Sequence, residues 1–203
     1  MDSSSSFKII LGSASAARQF ILREMGFNFT VMTADIDERA IRREKPEDLV
    51  MALAEAKAEA IISKIANLKD SEISSEPLLL ITADQVVVHE GVIREKPSSE
   101  EEARLFIKGY SRAPACTVGS VMVTNLKTGL KKGGWDKAEV YFHPIPGDVV
   151  ESLIKEGTVL KVAGGLLVEH PLTSPLVEAM VGSIDSIMGL PKDLTRALIN
   201  EVL

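Results

Sequence analysis

The sequence predicts an α/β protein, a mixed central sheet flanked by helices, and three observations carry that expectation. Short apolar runs alternate with helical periods through the first half of the chain; later β-rich runs follow one another through short turns; and the composition is that of an ordinary globular protein. Of 203 residues, 45% are hydrophobic and 26% charged. A chain of this length buries roughly 70% of the surface its unfolded form exposes, so a core needs neither disulfides nor a structural metal.

The elements follow in order. Phe7 to Leu11 (FKIIL) is an apolar run closed by Gly12, and Ser13-Ala14-Ser15 offers cap residues before the periodic stretch Ala16 to Met25. This is strand, turn, helix, and Gly26 sits where a helix ends in a left-handed conformation. Phe27 to Met32 alternates as a strand does, and Thr33 to Glu38 leaves it as a polar loop. Glu47 to Leu68, rich in Ala, Leu, Glu and Lys with Leu49, Leu53, Ala56, Ala60 and Ile61 at helical spacing, is the most strongly patterned helix. Lys69 to Pro77 is a loop by composition.

Leu78 to Thr82 and Val86 to His89 are β-rich runs on either side of Ala83-Asp84-Gln85, a strand interrupted by, or continued through, an acidic position. Ser98 to Ile107 is a helix opened by Ser98 or Ser99, with Glu101 or Glu102 completing a capping box. Thr117 to Asn125 and Ala138 to Phe142 are strands joined by the Gly- and Lys-rich turn Lys127 to Gly134. Pro146 to Lys155, the Pro-flanked segment after His170, and Pro191 to Val202 supply further helical pieces. The Ser-rich Met1 to Ser6 is expected to be a disordered tail, which leaves residues 7–203 as one domain. Sheet order cannot be derived from these patterns.

Composition excludes several classes of function. A formal charge of −6 argues against a general affinity for nucleic acid, which draws on a surplus of Lys and Arg. No apolar stretch approaches the ~18 residues of a membrane span. The single cysteine, Cys116, supports neither a disulfide framework nor a Cys-based zinc site and fits a reducing compartment such as the cytoplasm. His89, His143 and His170 lack metal-ligand spacing and are expected to be structural or exposed. There is no G-x-S-x-G and no Walker A spacing, so neither acyl transfer nor a P-loop is indicated.

What remains is a set of charged and hydroxyl residues. The turn Gly12 to Ser15 before a helix carrying Arg18 is a plausible anion site, because backbone N–H groups and the helix dipole converge there; Ser15 equally suits a plain N-cap. Asp35, Asp37 and Glu38 form an acidic cluster whose oxygens suit magnesium or manganese, or else a solvated loop. Asp84 is the most informative position: between two apolar strand segments an ionised carboxylate costs several kcal/mol unless something compensates it. Gln85 beside it can both donate and accept. Lys57 and Lys96 hold phosphate only if folding brings them near Asp84.

Read together, these segments resemble the Maf family of nucleotide pyrophosphatases. The resemblance rests on LGSASAARQFILREMGFNFTVMTADIDE at 11–38, LAEAKA around Lys57, ITADQVVVHEGVIREKPSSEEEARLFI at 81–107, AEVYFHPIPGDVVESLIKEG at 138–157, VAGGLLVE at 162–169 and VGSIDSIMGLPKDL at 181–194. It implies an elongated fold of two lobes around a cleft, often paired as a homodimer, that acts with Mg2+ or Mn2+ on a small-molecule nucleotide. By motif position it implies Asp84 as the family's catalytic acid and Glu38 with Asp84 at the metal. It implies Lys57 and Lys96 as site lysines, and Ser13, Ser15 and Arg18 as triphosphate-binding. Gln85 and Glu169 fall where the branch associated with 7-methyl-GTP carries them, as base-pocket residues. The family's S-x-S-P-R-R becomes Ser13-Ala14-Ser15-Ala16-Ala17-Arg18, without the proline and the first arginine. Tyr110 to Pro114, His143 and the pair Gly165-Leu166 also depart from the pattern. The expected activity is hydrolysis of a nucleoside triphosphate to monophosphate and pyrophosphate; the alternative is a nucleotide-binding regulator with weak or no catalysis.

Overall fold

In a computed structural model the chain is described over residues 7–67 and 77–203, so the expected tail and the expected loop before Pro77 lie outside the described residues. The elements are β1 (Lys8–Leu11), α1 (Ala16–Glu24), β2 (Phe29–Val31), α2 (Pro46–Asn67), β3 (Leu78–His89), β4 (Val92–Arg94) and α3 (Glu100–Gly109). They continue with β5 (Ala115–Asn125), β6 (Lys131–Phe142), α4 (Gly147–Glu156), β7 (Val177–Val181), α5 (Ile184–Met188) and α6 (Lys192–Val202). Among the described residues the strands form a seven-stranded sheet ordered β2-β1-β3-β5-β6-β7, with β4 paired to β3. β1 runs parallel to β2 and β3, whereas β3–β4 and β6–β7 are antiparallel, so the expected mixed α/β sheet is what the chain forms.

The chain divides into two compact units. The first comprises residues up to Asp84, Ser120–Asp136 and Gly189–Leu203. Its core places Ile10 and Leu80 of the sheet against Ala54, Ala58 and Ile61 of α2, with Met122 alongside. Alanines at 54 and 58 leave no side-chain bulk on that helix face, so α2 comes close enough to accept hydrogen bonds from the sheet. Thr82 Oγ1 donates to Ala54 O at 2.8 Å and Ser120 Oγ donates to Val50 O at 2.7 Å, both buried. Each satisfies a hydroxyl that would otherwise be a costly buried polar group.

The second unit comprises Gln85–Gly119 and Lys137–Met188. It holds the β3–β4 hairpin, closed at Glu90 (φ 49) and Gly91 (φ 78), the two positive-φ positions of a tight primed turn. Tyr110 packs with Val87, Val140 and Phe142 in its core and donates its hydroxyl to Gly164 O at 2.7 Å. His89 is buried with Nδ1 3.2 Å from Pro114 O, a structural histidine as expected. His170 lies against Glu156 at 2.8 Å.

Helix α3 is opened by Ser99, whose Oγ accepts from Glu102 N at 3.2 Å. The Glu102 carboxylate in turn accepts from Ser98 N at 2.6 Å and from Ser98 Oγ at 2.8 Å. Those contacts, the backbone N–H first, hold the Glu102 carboxyl below its ordinary value. The capping expectation is met with its register fixed at Ser99. Ser99→Ala is expected to cost about 1 kcal/mol, measured as a lower urea midpoint at unchanged slope.

Two expectations need correction, and of the two alternatives at Asp84 the continued strand is the one formed: β3 runs unbroken from Leu78 to His89 and is buried along most of its length. The glycines at 133 and 134 do not form a turn but lie inside β6. A Cβ at Gly133 would stand 2.9 Å from Met51 Cε, and one at Gly134 would stand 2.9 Å from Leu194 Cδ1, so both glycines lie under packed side chains instead of reversing the chain, and a larger residue would displace those side-chain ends. The segment after His170 is not simply helical: a short 3-10 turn at Ser174–Leu176 leads into β7, whose ladder with β6 supplies hydrogen bonds that proline-flanked composition does not reveal.

Candidate active site

The first unit assembles five of the nominated side chains: Ser13, Arg18, Glu38, Lys57 and Asp84. β1 delivers the chain to the Gly12–Ser15 turn, and Gly12 N donates to Ile81 O at 2.7 Å, which clamps the turn against β3. A Cβ at Gly12 would lie 2.6 Å from Thr82 Cγ2 and 2.8 Å from Ile61 Cδ1, so only glycine permits this approach. Ser15 is the α1 N-cap, its Oγ accepting from Arg18 N at 3.3 Å, while Ser15 N donates to Ser13 Oγ at 3.2 Å. Its capping role is thus realised, and Ser13 is the more buried of the two.

Arg18 reaches back from the first turn of α1 with its guanidinium. Nε donates to Gly189 O at 2.9 Å; Nη1 donates to Ala83 O at 3.0 Å and to Ser13 Oγ at 3.3 Å. The residue therefore ties together the anion-site turn, the peptide preceding Asp84 and the start of the Gly189-Leu190-Pro191 segment. Burial draws its guanidinium below the ordinary arginine value, while the carboxylates of Asp84 and Glu38 act in the opposite direction. Nothing in the sequence marks the carbonyls of Ala83 and Gly189 as partners, since backbone acceptors carry no residue signature.

Asp84 sits in the buried stretch of β3, and Lys57 projects from α2 one turn beyond Ala54, where Thr82 pins that helix to the strand. Lys57 Nζ lies 2.5 Å from Asp84 Oδ1 and 2.9 Å from Glu38 Oε1. The side chains of Lys57 and Asp84 are only 12% and 11% exposed, against 40% for Glu38, so the lysine compensates a carboxylate that water reaches poorly. In the acidic cluster Asp37 caps the 3-10 turn Glu38–Ala40 through Arg39 N at 3.1 Å, and Glu38 is the member in contact with Lys57. Asp35 and Asp37 are exposed.

Gln85, Lys96 and Glu169 belong to the second unit. Gln85 Nε2 donates to Ser186 O at 3.1 Å and Ile187 O at 2.9 Å, which commits its amide nitrogen to the backbone of α5. Lys96 and Glu169 are both exposed.

Glu38 and Asp84 are the residues suited to a metal. Among the described residues no group of three or more His, Cys, Asp or Glu is placed to hold one. Two oxygen donors converging on a single cation fit magnesium or manganese, which take one or two carboxylates and complete their shell with water and phosphate oxygens. They do not fit a protein-only cage or a soft-metal site.

The family model described as Maf-like protein matches residues 8–202. A 7-methyl-GTP pyrophosphatase from Dictyostelium discoideum is 41% identical over 194 residues, covering 96% of each chain. A dTTP/UTP pyrophosphatase from Caldicellulosiruptor saccharolyticus is 28% identical over 91% of this chain and 89% of its own. A nucleoside triphosphate pyrophosphatase from Salinispora tropica is 26% identical over 100% of this chain and 87% of its own.

Proposed function

The chain belongs to the Maf family, and from that premise we propose that it hydrolyses a nucleoside triphosphate to the monophosphate and pyrophosphate. The observation that carries the reading is the Glu38–Lys57–Asp84 contact on a strand whose preceding peptide is held by Arg18. Phosphoryl chemistry of this kind is almost entirely positioning and charge stabilisation, and this set of groups supplies both.

Asp84 accepts a proton from the attacking water as its oxygen bonds to the α-phosphorus, and the bond from that phosphorus to the β-phosphate oxygen breaks. Glu38 and Asp84 would hold a divalent cation, Mg2+ or Mn2+, which supplies Lewis-acid charge to the triphosphate. Lys57 and the Ser13 turn orient the phosphates, and Arg18 keeps that turn and the Ala83–Asp84 peptide in register; the phosphate role of Lys96 is supported by motif position alone. Glu169 offers a carboxylate suited to the positive ring of a 7-methylated guanine, and the named activity of the Dictyostelium relative favours that substrate. A cytoplasmic homodimer belongs to the same proposal, supported by the family resemblance and the lone cysteine. Among the described residues no helix is long and apolar enough to cross a membrane.

The test is a screen of normal and modified triphosphates with Mg2+ and with Mn2+, scoring pyrophosphate, orthophosphate and monophosphate separately. Equimolar pyrophosphate and monophosphate, fastest from 7-methyl-GTP, is the expected result. Orthophosphate as the product, or tight nucleotide binding without turnover, would sink the reading.

A further inference from the structure

We infer that Lys57 is a placeholder for the divalent cation, so that metal enters between Glu38 and Asp84 only as the lysine ammonium leaves them for the triphosphate. This rests on the metal assignment made above. The ammonium lies 2.5 Å from Asp84 Oδ1 and 2.9 Å from Glu38 Oε1. A magnesium ion binds carboxylate oxygen at about 2.0–2.1 Å, within the space that the ammonium fills. Two cations cannot share it.

The cation that yields is the lysine rather than the arginine. Arg18 is fixed by hydrogen bonds to Gly189 O, Ala83 O and Ser13 Oγ, so its guanidinium cannot withdraw without orphaning two carbonyls. Lys57 carries a compact charge on a flexible four-carbon stem, and among the described residues its ammonium meets the carboxylates of Asp84 and Glu38. Asp84 is too buried to stand without a counter-charge, which is the reason a cation occupies the place whenever metal does not.

The consequence is linkage. Metal binds only the fraction of molecules in which Lys57 has moved, so its apparent affinity is lowered by that fraction. A triphosphate gives the displaced ammonium a new partner, and each ligand therefore tightens the other. Lys57 in this role makes the free carboxylate pair a poor metal site and the nucleotide-loaded pair a good one.

Titration of Mn2+ followed by electron paramagnetic resonance, without nucleotide, tests this on wild type and Lys57→Met. The variant is expected to bind Mn2+ about tenfold more tightly or better, and to gain less affinity than wild type when a non-hydrolysable triphosphate is added. Because two facing carboxylates without the lysine destabilise the variant, a second measurement uses wild type alone. Acylation of Lys57 by an N-hydroxysuccinimide ester, read by peptide mass spectrometry, is expected to rise at saturating Mg2+. Equal or weaker Mn2+ binding by folded Lys57→Met, or a Lys57 labelling rate unmoved by Mg2+, overturns the inference and leaves the metal assignment standing. Failure of wild type to bind Mn2+ even with nucleotide overturns both.

Discussion

Asp84→Asn is expected to lower pyrophosphate release by roughly 10³-fold, the middle of the range for removing a positioned general base. The substitution keeps the side-chain shape and removes the charge, so the loss isolates the proton-accepting and cation-binding capacity of the carboxylate. Lys57 retains Glu38 as a partner, which limits the damage to folding. Circular dichroism and the thermal midpoint should accordingly stay near wild type while steady-state pyrophosphate release collapses. A folded Asp84→Asn protein that keeps more than a tenth of the activity would remove Asp84 from the role.

The second large effect is expected at Arg18. Arg18→Lys preserves the positive charge but not the fork that spans Gly189 O, Ala83 O and Ser13 Oγ. A misplacement of about 1 Å at the reacting groups costs on the order of 10²-fold in rate, and kcat should fall by that order because the peptide before Asp84 loses its donor. The thermal midpoint should fall too, since two carbonyls lose charge-assisted hydrogen bonds, each contributing roughly 1.5–3 kcal/mol. Ala17 stands in the place of the motif's other arginine, so the position next to Arg18 carries no guanidinium. If Arg18→Lys turns over at the wild-type rate, charge alone suffices there and the hydrogen-bonded tie is dispensable.

Much of the local architecture was legible because it is written in side-chain periodicity. The passage from Phe7 through Gly12 to Met25, the long α2 and the Ser98–Glu102 cap are decided by residues within one or two turns of each other. The glycines at 133 and 134 were misread because the same residue serves a turn and a close approach, and only Met51 and Leu194 distinguish the two. β7 was missed because its support comes from β6, at the register Glu139↔Val181, and not from its own proline-flanked composition.

By itself the sequence determined the kind of chemistry: oxygen donors, lysines and one arginine, no nucleophile elbow, no thiol pair, and the order in which strand and helix follow. The three-dimensional arrangement decided which of those groups meet. Arg18 and Gly189 are 171 positions apart, and Lys57 and Asp84 are 27 apart on different elements. The meeting of Lys57 with Asp84 is fixed by the burial of α2 against β1 and β3, a consequence of how apolar faces find one another, which spacing along a chain does not encode.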